Sequence, residues 1–367
     1  MHLAAVESRG FRNLADSRVA VGAGISLLHG PNGAGKTNLL EAVYFGLAGR
    51  SFRAGNDRDL IAYEQPSARV ELELAPEGAV LLAATDRRGE RRHLLDGRPL
   101  GSSESRPLVS VFHPDRMELV KGPPAKRRAH FDRLVGALWP ARADLRTRYG
   151  RTLAQRNALV GRIAASLASP ASLAAWDDRL AAEAVPLIES RAEAVEALSA
   201  PVTELGAALG LAGMEIRYRP RVPPERERIG SGLAERRERD LGRAYTSFGP
   251  QLDEVELRFG GRALKRFGSQ GQHRIALLAL LLAERRALIA AGRPSPLMLL
   301  DDVMSELDPA RREMLVATLA DAGQALLTAT EREQVPAAAG AEVSAVAIRE
   351  GRPLVAAGRG AAGRDAA

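Results

Sequence analysis

The chain has 367 residues, more than one ordinary hydrophobic core accommodates, so two lobes are expected. Lys and Arg number 52 against 45 Asp and Glu, and the net charge of +7 favours a polyanionic partner, nucleic acid ahead of an anionic membrane. With no cysteine, disulfides, thiolate metal sites and Cys nucleophiles are excluded. No uncharged apolar run reaches the roughly 20 residues that span a bilayer, and Met1–Glu7 lacks the basic and apolar regions of a signal peptide, so a cytoplasmic protein without a membrane partner is expected. Aromatic residues make up only 4% of the chain, which argues against a coat of rings stacked on single strands. Contacts to nucleic acid should run from Arg and Lys to phosphate, on duplex or junction DNA.

Residues 1–29 alternate apolar and polar positions and predict short strands that end in the buried run Ile25-Ser26-Leu27-Leu28. A helix follows from Lys36, with Leu39, Leu40, Val43 and Leu47 on one face. Ala68–Leu74 alternates like a strand with one wet face, Val80–Thr85 pairs with it, and Asp96-Gly97 marks a later turn. From about Arg127 to Gly210 the residues Ala, Leu, Arg and Glu dominate, Leu138, Leu145 and Leu159 fall at heptad spacing, and Ser169-Pro170 interrupts. This predicts two long helices in an antiparallel hairpin arm, each about 45–55 Å at 1.5 Å per residue, with the apolar stripe as its seam. Pro220–Gly232 reads as a connector. A strand at Val255–Phe259, a helix from about Gln272, and strands at Leu297–Leu300 and Ala325–Thr328 return the α/β pattern. The expected organisation is an α/β lobe built from residues 1–126 and 221–350, a helical arm at 127–220, and a disordered Gly/Ala/Arg-rich tail at 351–367.

The segment Gly30-Pro31-Asn32-Gly33-Ala34-Gly35-Lys36-Thr37 fits the G-x-x-x-x-G-K-[ST] pattern. Glycines let consecutive backbone N–H groups turn onto a triphosphate while the next helix offers its positive end. Lys36 should reach the β- and γ-phosphates of ATP, and the Thr37 hydroxyl should ligate Mg²⁺. Leu297-Met298-Leu299-Leu300-Asp301-Asp302 is a buried strand ending in two carboxylates. Asp301 would hold the Mg²⁺ shell and Asp302 would orient or activate the attacking water, which makes Lys36, Asp301 and Asp302 the candidate catalytic residues. Gly268-Ser269-Gln270-Gly271-Gln272 precedes a helix, where Ser269 reads either as a helix cap or as part of an anion-binding end. Ser305-Glu306-Leu307-Asp308 follows the carboxylate strand.

In this order these pieces resemble the signature loop and D-loop of ABC-type ATPases. That resemblance implies that the signature of one subunit closes on the P-loop ATP of another, so hydrolysis requires a homodimer. Phe11-Arg12-Asn13 and the helical insertion are similar to the SMC-like branch. Pro114-Asp115 through Leu119-Val120-x-Gly122-x-Pro124-x-x-Arg127-Arg128-x-x-Phe131-Asp132, together with Leu299-Leu300-Asp301-Asp302-Val303-x-Ser305-Glu306-Leu307-Asp308-x-x-Arg311, resembles the two signature stretches of the RecF family. The likeness covers about residues 1–350. It implies an α/β P-loop ATPase head of ABC/SMC type with an antiparallel β portion and an inserted all-α hairpin lobe. It also implies ATP and Mg²⁺ as cofactors, a weak DNA-dependent ATPase acting on gapped or junction DNA, and RecR as partner with RecO and RecA downstream. Nucleotide contacts fall, beside the P-loop, on Arg12, Ser269, Gly271, Gln272 and Asp308.

The sequence departs from that family in places. His130 stands where an aromatic is usual, and Gln251-Leu252-Asp253-Glu254 replaces His-Arg-Asp-Asp. Thr328-Ala329-Thr330 occupies the position of the switch His, and no Gln marks a Q-loop near His113–Asp115. The runs Arg87–Arg92, Lys126–Arg128 and Arg236–Arg239 are candidate phosphate contacts. A transporter ATPase subunit and a structural DNA clamp that binds ATP without turnover are the competing readings.

Overall fold

The computed structural model describes residues 1–101, 108–336 and 342–354, with the backbone alone described at 114–116. By its internal contacts the chain divides into two units, Met1–Arg116 with Pro294–Ala367, and Met117–Arg293. The first contains strands β1 (His2–Arg9), β2 (Ser17–Ala20) and β3 (Ile25–His29), helix α1 (Lys36–Ala48), and strands β4 (Ser67–Ala75), β5 (Ala79–Asp86), β6 (Arg91–Leu95), β7 (Arg98–Pro99) and β8 (Val109–Phe112). The second holds helices α2 (Pro124–Leu138), α3 (Leu145–Ala164) and α4 (Leu173–Ala208), strand β9 (Met214–Arg219), α5 (Arg226–Glu235), α6 (Arg237–Arg243), β10 (Glu254–Phe259), β11 (Arg262–Ala263), α7 (Leu264–Phe267) and α8 (Gln270–Ala290). The first unit then resumes with β12 (Leu297–Leu300), α9 (Pro309–Ala320), β13 (Ala325–Ala329), β14 (Val343–Arg349) and β15 (Arg352–Leu354).

Two six-stranded sheets build the first unit. One is antiparallel in the order β2-β1-β4-β5-β6-β7; the other runs β15-β14-β3-β13-β12-β8 and is parallel except at its β15 edge. β12 and β13 are buried at every position, as parallel strands covered on both faces must be. β4 alternates between buried and wetter positions, as expected for an antiparallel strand with one solvated side. Helix α1 is buried nearly all round, beyond the single face predicted: Ala42, Tyr44, Phe45 and Gly46 are enclosed along with Leu39, Leu40, Val43 and Leu47. The reason is its place between layers, since one apolar cluster joins α1 to Leu28, Leu299 and Leu326 of the parallel sheet and to Val70, Leu72 and Leu81 of the antiparallel one.

In the second unit, α4 has 36 residues, roughly 54 Å at 1.5 Å per residue, whereas α3 has 20, roughly 30 Å. The first half of the expected hairpin is therefore shorter than predicted. Trp139-Pro140 interrupts it, because proline cannot donate to the helix ladder, and a 3₁₀ turn at Pro140–Arg142 separates α2 from α3. The stripe containing Leu145 does form the α3–α4 seam, packing with Leu180, Ala184, Leu187 and Ile188. Within the stretch expected to be helical, Met214–Arg219 is instead a strand: Met214 and Ile216 point inward in alternation, and β9 joins the antiparallel sheet β11-β10-β9. The expected connector is helical from Arg226 onward.

Two buried arginines organise this unit. Arg156 is fully enclosed and donates to Asp177 (2.7 Å), Asp240 (2.8 Å) and Thr246 (2.8 Å). Arg191 donates to both carboxylate oxygens of Asp132 and to Asp253. Burial disfavours its charge, yet its hydrogen bonds to Asp132 and that carboxylate's charge hold its pKa above the ordinary arginine value. The divergent Gln251 and its neighbour Asp253 are absorbed here, accepting hydrogen bonds from the hydroxyls of Tyr149 and Tyr218. His130 meets Glu284 at 2.5 Å in the interior.

Gly351–Leu354, expected to belong to a disordered tail, forms a turn and the β15 edge strand, while residues 355–367 lie outside the described residues. Among the described residues no helix is long and apolar enough to cross a membrane.

Candidate nucleotide site

The P-loop joins the C-terminal end of β3 to the N-terminus of α1, where a parallel sheet presents its ligand-binding edge. Gly30 has φ 150°, and a Cβ there would lie 2.1 Å from the Ile348 carbonyl oxygen, so only glycine lets β14 pass this close. Lys36 is buried, and its Nζ donates to the carbonyls of Gly30 (2.6 Å) and Pro31 (3.0 Å). Burial lowers its pKa from the usual lysine value, with the carboxylates of Asp302 and Asp301 opposing that shift. The loop is braced from outside: Gly351 N donates to Ala34 O (2.8 Å), and Asn13 Nδ2 to Gly33 O (3.1 Å).

β13 lies between β3 and β12, and this order sets the next contacts. The Thr37 hydroxyl donates to Asp301 at 2.9 and 3.0 Å from its two carboxylate oxygens. Thr328, near the end of β13, donates to Asp301 Oδ1 (2.8 Å) and accepts from the Asp302 backbone N–H (2.8 Å). Asp302 has φ 49°, a left-handed conformation that turns the chain sharply off the strand end and leaves the residue exposed. His113 Nε2 lies 3.5 Å from Asp301 Oδ2, in the stretch His113–Asp115 where the sequence carries no Q-loop Gln. Thus Thr328 and His113, noted in the sequence only as departures, both touch Asp301.

A cavity of about 720 Å³ opens over these groups. Of the residues singled out in the sequence, Arg12, Asn32, Gly33, Gly35, Lys36, Thr37, Asp301 and Asp302 line it. Its cationic side has a support that the sequence reading missed. The carboxylate of Glu41, completely enclosed in α1, accepts from Arg12 Nε and Nη2 (both 3.0 Å), from Arg53 Nε (3.0 Å) and Nη2 (2.8 Å), and from Ser51 (2.6 Å). Arg53 also contacts Asn38, and both line the cavity. The only advance sign was a glutamate among the core-facing residues of α1.

Ser269, Gly271 and Gln272 belong to the second unit, at the exposed start of α8. The cap reading of Ser269 is realised: its hydroxyl accepts from Gln272 N (3.2 Å) and its N–H donates to the Gln272 side chain (2.9 Å), a capping box. Asp308 caps α9, accepting from Arg311 N at 3.0 Å. The arginine runs are partly engaged. Arg127 is buried in a bidentate pair with Glu254 (2.8 and 2.9 Å), Arg128 donates to the Asp253 carbonyl, Arg91 pairs with Asp57 and Arg237 with Asp177. Arg88, Arg92 and Arg239 stay exposed, without a carboxylate partner among the described residues.

A P-loop on a parallel sheet, covered by an antiparallel sheet and interrupted by a largely helical insertion, defines a P-loop ATPase head of the ABC/SMC type. Residues 2–352 match the RecF/RecN/SMC N terminal domain family. The chain is 37% identical over 378 residues to the DNA replication and repair protein RecF of Anaeromyxobacter dehalogenans strain 2CP-C, covering 97% of this chain and all of that one. It is 35% identical over 333 residues to that of Heliobacterium modesticaldum, at 87% and 89% coverage. A solved structure of the recombination mediator protein RecF-ATPrS in the RecFOR pathway superposes with TM-score 0.78 at 25% identity over 96% of this chain and 97% of that one. An SmcHead bound to the C-winged helix domain of ScpA shares the fold at TM-score 0.58 and 17% identity, over 96% of both chains. The chain belongs to the RecF family. Membership sets aside the transporter-subunit reading.

Proposed function

We propose that this chain is an ATP-gated DNA repair ATPase of the cytoplasm that binds ATP with Mg²⁺ in the P-loop cavity, dimerises on ATP and recognises gapped or junction DNA. In this reading it acts with RecR and RecO to promote RecA loading, and DNA stimulates its weak hydrolysis. The observation that carries the proposal is the convergence of Lys36, Thr37, Asp301, Asp302 and Thr328 on one cavity at the edge of the parallel sheet.

The donor set suits Mg²⁺. The Thr37 hydroxyl and Asp301 carboxylate form a hard oxygen pair, fitting an ion that otherwise keeps waters and phosphate oxygens as ligands. Among the described residues no group of three or more His, Asp or Glu stands ready to hold a metal without a nucleotide. When bound, the ion offsets charge on the phosphate oxygens. Lys36 would exchange the carbonyls of Gly30 and Pro31 for phosphate, and Arg12 and Arg53, held by Glu41, add positive charge to the same cavity. Asp302 would accept a hydrogen bond from the water that attacks the γ-phosphorus as the bond to the β,γ-bridging oxygen breaks. The Thr328 hydroxyl fixes the Asp302 backbone, but it offers no imidazole to sense the γ-phosphate, consistent with slow turnover.

DNA binding is supported by the basic balance and by α3, which carries five arginines and no acidic residue. Arg148, Arg151 and Arg162 are exposed on one helical face, and Arg151 and Arg162 pair with no carboxylate among the described residues. The test is ATP turnover with and without duplex, single-stranded and junction DNA, beside a Lys36→Met variant. Hydrolysis and ATP-driven association should both vanish in the variant. A normal ATP-dependent dimer of Lys36→Met in sedimentation would refute the role given to the P-loop, and wild-type binding without turnover would favour the structural clamp.

A further inference from the structure

The β14–β15 hairpin turns at Glu350-Gly351, where Glu350 is exposed but Gly351 is buried. Both residues have positive φ, 48° and 75°, as a two-residue hairpin turn of the favoured hand requires. The apex of such a turn has no partner within the hairpin for its own N–H and C=O. Gly351 uses both on other segments: its N–H donates to Ala34 O (2.8 Å) in the P-loop, and its carbonyl accepts from Ala15 N (3.0 Å). A Cβ at Gly351 would lie 2.0 Å from Asn13 O, so only glycine fits between the two segments.

The structure on either side is held firmly. β14 pairs with β3 as far as Ala347 opposite His29, and Ile348 is buried at the root of the P-loop. The segment after β1 is fixed by Arg12 N to Leu60 O and Ala62 N to Gly10 O (both 2.8 Å). These bonds tie it to the cavity wall at residues 59–63 and to the turn at 62–65, which Gln65 N closes onto Ala62 O (3.1 Å).

The consequence for the P-loop follows from peptide geometry. In a trans peptide the C=O and the N–H point opposite ways. Asn13 Nδ2 holds Gly33 O, but the N–H of that peptide, on Ala34, is already committed to Pro31 O (3.2 Å). The next peptide differs. Gly351 holds the Ala34 carbonyl away from the cavity, so the Gly35 N–H turns into it, and that N–H donates to no acceptor among the described residues. Reversed, the peptide would present an oxygen to phosphate in place of a donor. We propose that Gly351 is a positioning residue for nucleotide binding, holding the Ala34–Gly35 peptide with its N–H aimed at phosphate. This rests on the reading of the cavity as a nucleotide site and deepens it: a residue outside the P-loop motif sets one of the motif's donors.

The experiment combines calorimetric titration of ATP and of inorganic tripolyphosphate, each with Mg²⁺, into wild type and Gly351→Ala, with amide NMR on protein labelled with ¹⁵N-glycine. All readings are taken well below the Tm of the variant. In wild type the Gly351 amide should exchange slowly with solvent, and the Gly35 amide should shift when ATP binds. Gly351→Ala should weaken ATP and tripolyphosphate alike, by at least about twofold and by about tenfold if the hydrogen bond is a strong one. At saturating ATP its Gly35 shift should shrink, a change that a loss of stability alone would not produce. Unchanged affinity for both ligands in Gly351→Ala would overturn the proposal. So would a loss confined to ATP, which would place the effect away from the phosphates. Weaker binding with a full Gly35 shift at saturation would leave Gly351 a purely structural role and overturn it too. The wild-type measurement stands without the variant: a Gly351 amide that exchanges as fast as an unprotected loop would remove the donor. Wild type binding neither ligand would instead remove the nucleotide site itself, and the role of Gly351 with it.

Discussion

Glu41→Gln isolates the charge that holds the cationic side of the cavity together. The substitution keeps the side-chain volume, so packing around α1 is conserved while two guanidinium groups lose their shared anion. Hydrogen bonds to charged groups are worth about 1.5–3 kcal/mol each, and breaking a fully buried pair costs about 3–5 kcal/mol. The Arg12 and Arg53 side chains keep 22% and 26% exposure and regain some water, which places the expected loss near the lower end, about 3 kcal/mol. In a unit of this size that is a drop in Tm of about 6–12 °C. The loss should depend on pH in a defined direction. Burial raises the pKa of the Glu41 carboxyl, but hydrogen bonds from Arg12, Arg53 and Ser51 outweigh it and leave the pKa below the ordinary value of 4.5. A depressed carboxyl contributes stability that is full above the unfolded value and is lost as pH falls through the folded one. The gap between wild type and variant should therefore be widest near neutrality and close in acid. Differential scanning calorimetry from neutral pH to below 4 reads it directly. A gap under about 1 °C at neutral pH, or one that widens in acid, would refute the role assigned to Glu41.

Thr328→Val removes the hydroxyl that joins Asp301 to the Asp302 backbone; turnover should fall by about tenfold or more with ATP affinity little changed, by steady-state assay and titration. Arg156→Met leaves the buried Asp240 without a cation and Asp177 with Arg237 alone, and urea unfolding should show a loss of about 3–5 kcal/mol. Replacing Arg148, Arg151 and Arg162 together with Gln should flatten the dependence of log duplex affinity on log salt by about 2 to 3 units, and an unchanged slope would exclude the α3 face. Ser269→Arg should spare ATP binding but block ATP-driven association, and mixing it with Lys36→Met should restore association measured by sedimentation, because one composite site is then intact.

What could be read in the sequence divides along a physical line. The P-loop, the β12 strand with its terminal Asp301-Asp302, and the β4–β5 pair were legible because each is encoded by consecutive residues whose period or backbone requirement is local. Asp301 and Thr37 could be joined in advance because the chemistry of one ligand demands both. The break at Trp139-Pro140 passed unseen because heptad-spaced leucines continue across it, and the strand at Met214–Arg219 because six alternating residues lie beside a long helical stretch. Glu41 was hidden for a different reason. A glutamate in an α-helix ordinarily faces water, and only tertiary structure shows that two layers enclose α1, so that this carboxylate can persist there only with Arg12 and Arg53 beside it. The wall at residues 59–63 is the same kind of case. No residue there carries a motif; its position comes from backbone hydrogen bonds to Gly10 and Arg12, which any side chains could make. The parts of the cavity that would meet phosphate are thus written in residue type, because phosphate demands particular donors. The parts that brace those donors are written in topology, because no local pattern of residue types records that the segment after β1 and the turn at 62–65 lie side by side.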